Sequence, residues 1–171
     1  MKKLSRYKLN QGINYFKNKI DTGRPLKWIF IYGHHRGGTT YTLNQYLKVS
    51  KRGTGDWMMF QFANAFIAAK TRDRQKLDIL RLNRSFRKNL LTNAQIGGGQ
   101  YYDIVIKQAV GTQNLNDVRS ELNFFTEIFK SPPEKKLFLY REPNGWWSSA
   151  KIKFNDNNKN MIKYYIKAIE S

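Results

Sequence analysis

The expected fold follows from residues 28–41, Trp28-Ile-Phe-Ile-Tyr-Gly-His-His-Arg-Gly-Gly-Thr-Thr-Tyr41. This stretch opens with five consecutive apolar or aromatic residues and is interrupted at Gly33, a pattern typical of a short strand buried on both faces of a parallel sheet. Residues 39–48 then carry apolar side chains near helical spacing. The stretch therefore predicts a strand, a glycine-rich loop and a helix in succession.

The rest of the chain repeats this alternation of strand and helix. Apolar runs predict two more strands at 104–106 and 137–140, and helical periodicity marks 57–69, 74–91, 118–129, 145–154 and 159–169. Such alternation favours an α/β fold with three layers, in which helices flank a central, mainly parallel sheet. Residues 1–25 are expected to form a basic helix or arm, and 1–171 a single domain.

Composition excludes several classes of protein. Of the 171 residues, 40% are hydrophobic and 15% are aromatic. This apolar content argues against a disordered polycation. The chain has no cysteine, so disulfides, thiolate catalysis and cysteine-ligated zinc are excluded. No apolar run approaches the ~20 residues that span a membrane, and the N-terminus lacks the apolar stretch of a signal peptide. We expect a soluble, cytoplasmic protein.

The net charge of +19 predicts an anionic partner: nucleic acid, a membrane surface, or a phosphorylated or sulfated small molecule. Residues 1–55 hold twelve Lys and Arg against one acid, Asp21, so the excess is concentrated there. The alternative explanation is codon bias, because the chain is also rich in Asn, Ile and Tyr.

The loop after the first predicted strand has the glycine spacing of a phosphate-binding loop. Gly33 and Gly38 stand at the G-x-x-x-x-G distance, and two threonines follow. Glycines allow successive N–H groups to turn inward, and the next helix adds its positive dipole end. The usual lysine is replaced by Thr39, which leaves Arg36 as the loop's cation and argues against an ordinary ATPase or GTPase. The alternative is a plain glycine turn capped by Thr.

A second motif occurs at 136–149, Lys136-Leu-Phe-Leu-Tyr-Arg-Glu-Pro-Asn-Gly-Trp-Trp-Ser-Ser149. Arg141 ends a predicted strand, and Ser149 lies eight residues later on the next helix. From the carboxyl edge of a sheet both side chains can reach one phosphate. The alternative is that Arg141 pairs with a nearby carboxylate and Ser149 is an ordinary polar residue of the helix.

Together the two motifs resemble those of sulfotransferases that use 3′-phosphoadenosine-5′-phosphosulfate (PAPS), whose fold is P-loop-like. The first is similar to that family's 5′-phosphosulfate loop, with Gly37 where Ser or Thr is usual. The second is similar to its 3′-phosphate motif, with Glu142 in place of Asp or Asn. The resemblance implies transfer of a sulfuryl group from PAPS to the hydroxyl or amine of an acceptor, a carbohydrate or another small molecule.

The resemblance also implies a role for individual residues. Arg36 would contact the 5′-phosphate and sulfuryl oxygens, Tyr41 would stack near the adenine, and Arg141 with Ser149 would hold the 3′-phosphate. No metal is implied. The full set of expected nucleotide-binding residues is His35, Arg36, Gly37, Gly38, Thr39, Thr40, Tyr41, Arg141 and Ser149.

Three residues are expected to take part in the chemistry. Asp56 is the expected general base, since some branches of the family place an acid at this distance after the loop; alternatively it caps the helix 57–69. Arg36 and Lys107 are expected to stabilise negative charge, although Lys107 could instead be a solvated residue at a strand end. The adjacent His34 and His35 make a poor metal site. We expect them to face solvent; the alternative is that either one faces the sulfuryl group.

Two other functions stay open on the sequence: a kinase-like P-loop phosphotransferase and a basic nucleic-acid-binding protein. The first lacks the loop lysine, and the second lacks a recognised binding motif. Members of the sulfotransferase family continue well beyond the 3′-phosphate motif, whereas this chain stops at Ser171. The resemblance therefore implies that the C-terminal part of the family's domain is missing.

Overall fold

The computed structural model describes residues 23–55, 86–110, 118–154 and 158–170. Residues 86–93 are helical. The other elements, in chain order, are β1 Trp28–His34, α1 Thr39–Tyr46, β2 Arg52–Thr54, β3 Gln95–Ile96, β4 Ile104–Val110, α2 Val118–Phe129, β5 Lys135–Leu139, α3 Pro143–Phe154 and α4 Asn158–Glu170.

The five strands form one sheet in the order β3-β2-β4-β1-β5. β1 pairs in parallel with β4 on one side, where Trp28 lies opposite Ile104, and with β5 on the other, where Ile29 lies opposite Lys135. β2 is parallel to β4, and only β3 runs antiparallel to its neighbour. The predicted α/β fold with a mainly parallel sheet is confirmed.

Alternate side chains of β1 supply two cores on opposite faces of the sheet. Trp28 and Phe30 pack in one cluster with the aromatic side of α2 and the 86–93 helix. Ile29 and Ile31 pack in the other with Leu43 of α1. All four β1 residues are fully buried, as the continuous apolar run predicted. Because α1 and α2 cover different faces, the described part of the chain has three layers.

Strands β2 and β3 are not predicted by any local pattern in the sequence. Both are short, and their sequences, Arg-Gly-Thr and Gln-Ile, carry no apolar run or clear alternation. Gly53 of β2 lies directly under α1, since a Cβ there would be 2.6 Å from Leu47 Cδ2 and 2.9 Å from Leu43 Cδ1. This strand is therefore defined by its neighbours in the fold, not by a local pattern.

The two C-terminal helices pack on each other beside the carboxyl edge of the sheet. Trp146 and Ala150 of α3 and Met161 of α4 form a third buried cluster. The predicted arm 1–25 falls almost wholly outside the described residues, as do the predicted helix 57–69 and most of 74–91. Within the described ranges, no helix combines the length and apolar character needed to cross a membrane.

Candidate functional site

The loop that follows β1 is a tight turn with two left-handed residues. Gly37 N–H donates to the His34 carbonyl oxygen at 2.8 Å, which closes the turn. Arg36 has φ 68° and Gly38 has φ 93°, while Gly37 between them does not adopt a positive φ. Backbone of alternating hand forms concave sites for anions. A left-handed Arg costs about 1–2 kcal/mol, and such strain is commonest at functional sites.

Helix α1 begins at this loop without a side-chain cap. Gly38 is its N-cap residue, and no side chain accepts a hydrogen bond from the first turn. Gly38 O accepts the Thr42 N–H at 3.0 Å, as at any helix start. The alternative of a turn capped by Thr is therefore not what the structure has. The N–H groups of the first turn are available to an anion.

The second motif contacts the first directly. β5 is parallel to β1, so both strands end at the same edge of the sheet. Arg141 Nη1 donates to the Arg36 carbonyl oxygen at 3.0 Å, and Arg36 Nε donates to Ser149 Oγ at 3.1 Å. Among the described residues Arg141 forms no ion pair. The carboxylate partner that the alternative requires for Arg141 is therefore not found in the described part of the chain.

Glu142, the departure from the family's second motif, caps helix α3. Its carboxylate accepts the Asn144 N–H at 3.0 Å and also the Gly145 N–H. Pro143 occupies the first helical position, where its missing N–H costs nothing. A carboxylate here stabilises the helix start, which directs Ser149 back toward the loop.

The two motifs enclose a cavity of about 280 Å³. Its lining, as far as the described residues go, contains three cationic side chains and no carboxylate. Such a cavity attracts a polyanion, because three positive charges and several hydroxyl and backbone donors converge on it. The lining is His35, Arg36, Gly38, Thr39, Thr40, Lys107, Ala109, Arg141 and Ser149.

The expected binding residues divide into those that line the cavity and those that do not. Tyr41 is not part of the lining, and its side chain is 70% exposed on α1. Gly37 also lies outside the lining, and its N–H is used within the turn. Asp56, the expected base, lies outside the described residues.

Lys107 reaches the cavity from the middle of the sheet. It is only 6% exposed, so the alternative of a solvated lysine is wrong. Ala109 lines the cavity two residues further along β4, although no motif in the sequence marks it as a site residue. The period-two alternation of a strand places Lys107 and Ala109 on one face. Gln108, between them, donates to Glu121 of α2 at 3.0 Å on the opposite face.

The expectation that both histidines face solvent is wrong for His34. β1 continues through His34, whose side chain is fully buried and stacks on the Tyr165 ring at 4.5 Å between centroids. Burial lowers its pKa, because a charged imidazole would lose its hydration there. His35 is half-buried, and its carbonyl oxygen accepts the Trp146 indole N–H at 2.6 Å.

Comparisons of the chain with models of protein families, with curated proteins and with solved structures found no significant match.

Proposed function

We propose that the protein is a PAPS-dependent sulfotransferase with a P-loop-like fold. One observation carries the proposal. Two motifs that are separated in the chain and resemble the family's 5′- and 3′-phosphate motifs contact each other around one basic cavity. The direct contacts are those of Arg141 with the Arg36 carbonyl and of Arg36 with Ser149. Neither motif alone requires this arrangement.

The position of the cavity in the sheet supports the same proposal. Ligands of parallel α/β sheets bind beyond the carboxyl ends of the strands, where neighbouring connections leave on opposite faces. β1 and β4 are such neighbours, since α1 after β1 and α2 after β4 cover opposite faces. The glycine loop starts at the carboxyl end of β1, beside β4.

The charge of the cavity suits the donor nucleotide. PAPS carries about four negative charges, and each charge-assisted hydrogen bond to it contributes roughly 1.5–3 kcal/mol. In the proposal Arg36 and the α1 N-terminus bind the phosphosulfate group, while Arg141 and Ser149 bind the 3′-phosphate. Lys107 then stabilises charge on the transferred group, as electrostatic catalysis of group transfer requires.

The acceptor hydroxyl would lose its proton to Asp56. β2 is parallel to β4 and ends at Thr54, so it leads toward the edge where the cavity lies. The acceptor is proposed to be a carbohydrate or another small molecule. A lone pair of the acceptor hydroxyl oxygen attacks the sulfur atom in line with the S–O bond that breaks, and adenosine 3′,5′-bisphosphate is the leaving group.

Calorimetric titration with nucleotides tests the proposal. We expect adenosine 3′,5′-bisphosphate to bind more tightly than ATP, because only the bisphosphate presents a 3′-phosphate to Arg141. Tighter ATP binding would instead favour the kinase-like phosphotransferase. Binding of duplex DNA with a steep salt dependence, and no bisphosphate binding, would favour the nucleic-acid-binding protein.

The variant Arg141→Ala sharpens this test. We expect it to weaken bisphosphate binding by about 1.5–3 kcal/mol, roughly 10- to 150-fold, through loss of a charged hydrogen bond. Lys151→Ala is the matched control, since Lys151 is an exposed cation of α3 outside the cavity lining. Equal affinities of the two variants would remove the 3′-phosphate assignment.

A further inference from the structure

Tyr165 of α4 contacts both phosphate motifs near the ends of their strands, but it does not line the cavity. Its ring stacks on His34 with centroids 4.5 Å apart and planes 12° apart. Its hydroxyl lies 3.2 Å from the Arg141 carbonyl oxygen. His34 ends β1 directly before the glycine loop, and Arg141 follows β5. One side chain therefore contacts the chain at the start of the first motif and at the arginine of the second.

The hydrogen bonds of this phenol have one consistent direction. A carbonyl oxygen can only accept, so the Tyr165 O–H donates to Arg141. The Tyr165 O–H also donates to the Tyr140 hydroxyl oxygen at 3.0 Å, so the two acceptors share its one proton. Burial raises the pKa of Tyr165 to about 12, and the hydrogen bond with Tyr140 adds to this. Tyr165 thus keeps its proton at neutral pH and remains a donor.

Neighbouring aromatic rings hold Tyr165 in place. Its ring centroid lies 5.1 Å from that of Trp146, which is buried between α3 and α4. Trp146 in turn donates its indole N–H to the His35 carbonyl oxygen in the glycine loop. One aromatic cluster therefore contacts both the glycine loop and the segment after β5 that carries Arg141. The cluster consists of His34, Tyr140, Trp146 and Tyr165.

We propose that Tyr165 is a positioning residue that fixes the Arg141 backbone relative to the glycine loop, and so sets the preference for a nucleotide with a 3′-phosphate. This inference rests on the proposed function. The Arg141 guanidinium connects the two motifs by its hydrogen bond to the Arg36 carbonyl oxygen. The backbone carbonyl of the same residue accepts the hydrogen bond from Tyr165. Without the phenolic proton, that carbonyl loses its partner and the guanidinium is less well oriented for a phosphate.

The variant Tyr165→Phe removes the proton and keeps the stacked ring. The readout is the ratio of affinities for adenosine 3′,5′-bisphosphate and adenosine 5′-monophosphate, measured by calorimetry. We expect the variant to reduce the wild-type preference for the bisphosphate roughly 3- to 10-fold, the worth of one neutral hydrogen bond, with the monophosphate affinity unchanged. Tyr102→Phe is the matched control, a half-buried tyrosine that packs against the α1 face of the sheet.

A double-mutant cycle completes the test. In an Arg141→Ala background, Tyr165→Phe should no longer change bisphosphate affinity, because it acts through Arg141. An equal loss of affinity for both nucleotides, or an unchanged preference, would overturn the inference while leaving the proposed function intact. If the wild-type protein itself shows no preference for the 3′-phosphate, the proposed function fails and the inference fails with it.

Discussion

Arg36 and Arg141 are 105 residues apart in the chain, yet a hydrogen bond joins them. Two like charges come this close because the contact is between a guanidinium and a carbonyl oxygen, and Ser149 accepts from the other guanidinium. Both cations line the cavity, and the described residues contribute no carboxylate to that lining. An anionic ligand would stabilise them more than solvent does, because it would accept charge-assisted hydrogen bonds from both.

Burial of the His34 imidazole predicts that the stability of the fold depends on pH. The pKa of His34 is lowered from 6.5 by burial, so the unfolded chain binds a proton more readily than the folded one. The free energy of unfolding should therefore fall as the pH drops below about 6.5. For this one group the folding equilibrium constant decreases by at most about tenfold per pH unit. His34→Phe, which keeps a buried ring, should lessen the difference in unfolding free energy between pH 7 and pH 5.5 in urea denaturation.

The control for His34 is its neighbour. His35→Phe leaves the buried imidazole in place and should retain the loss of stability at pH 5.5. If His34→Phe lost as much stability as the wild-type protein between the two pH values, burial of His34 would not be the cause.

At the scale of elements, the site depends on how closely β1 and β5 approach at their carboxyl ends. Gly33 lies opposite Leu139, and a Cβ on Gly33 would collide with the Leu139 carbonyl oxygen. The glycine that sequence analysis assigned to a phosphate-binding pattern therefore also permits the close pairing that brings Arg141 to the loop.

Gly33→Ala should separate the two strands and lower the unfolding free energy by about 1–3 kcal/mol, the usual range for overpacking. Urea denaturation measures this. Gly98→Ala is the matched control, because a Cβ at Gly98 meets no atom within 4 Å. Equal stabilities of the two variants would mean that β5 adjusts without cost.

For the whole molecule, the net charge of +19 can be divided into cations that line the cavity and cations elsewhere. Three of the cations, Arg36, Lys107 and Arg141, line one cavity, and the others add a general attraction for anions. Salt screens charges over about 10 Å at 0.1 M, so binding of an anionic nucleotide should respond to ionic strength.

Bisphosphate affinity should fall several-fold between about 50 mM and about 500 mM NaCl, by screening of these charges. Calorimetry on the wild-type protein and Arg141→Ala measures it, and the variant should show a shallower dependence because one charge is gone. An affinity independent of salt in the wild-type protein would contradict a site built on these cations.

The amino-acid sequence predicts the succession of β1, glycine loop and α1, and it also predicts the α/β class. These follow from local patterns, since apolar runs, glycine spacing and helical periodicity act over a few residues. It also predicted Arg36, Lys107, Arg141 and Ser149 as site residues, from their positions in motifs and at strand ends, and the structure places all four around one cavity.

Other features of the sheet and of the cavity depend on tertiary contacts. β2 and β3 exist because neighbouring strands pair with them, and Ala109 lines the cavity because β4 lies beside β1. His34 is buried because α4 packs over it, and Tyr165 joins the two motifs from a helix whose own sequence shows no motif. Each of these depends on contacts between residues far apart in the chain, which no local pattern encodes.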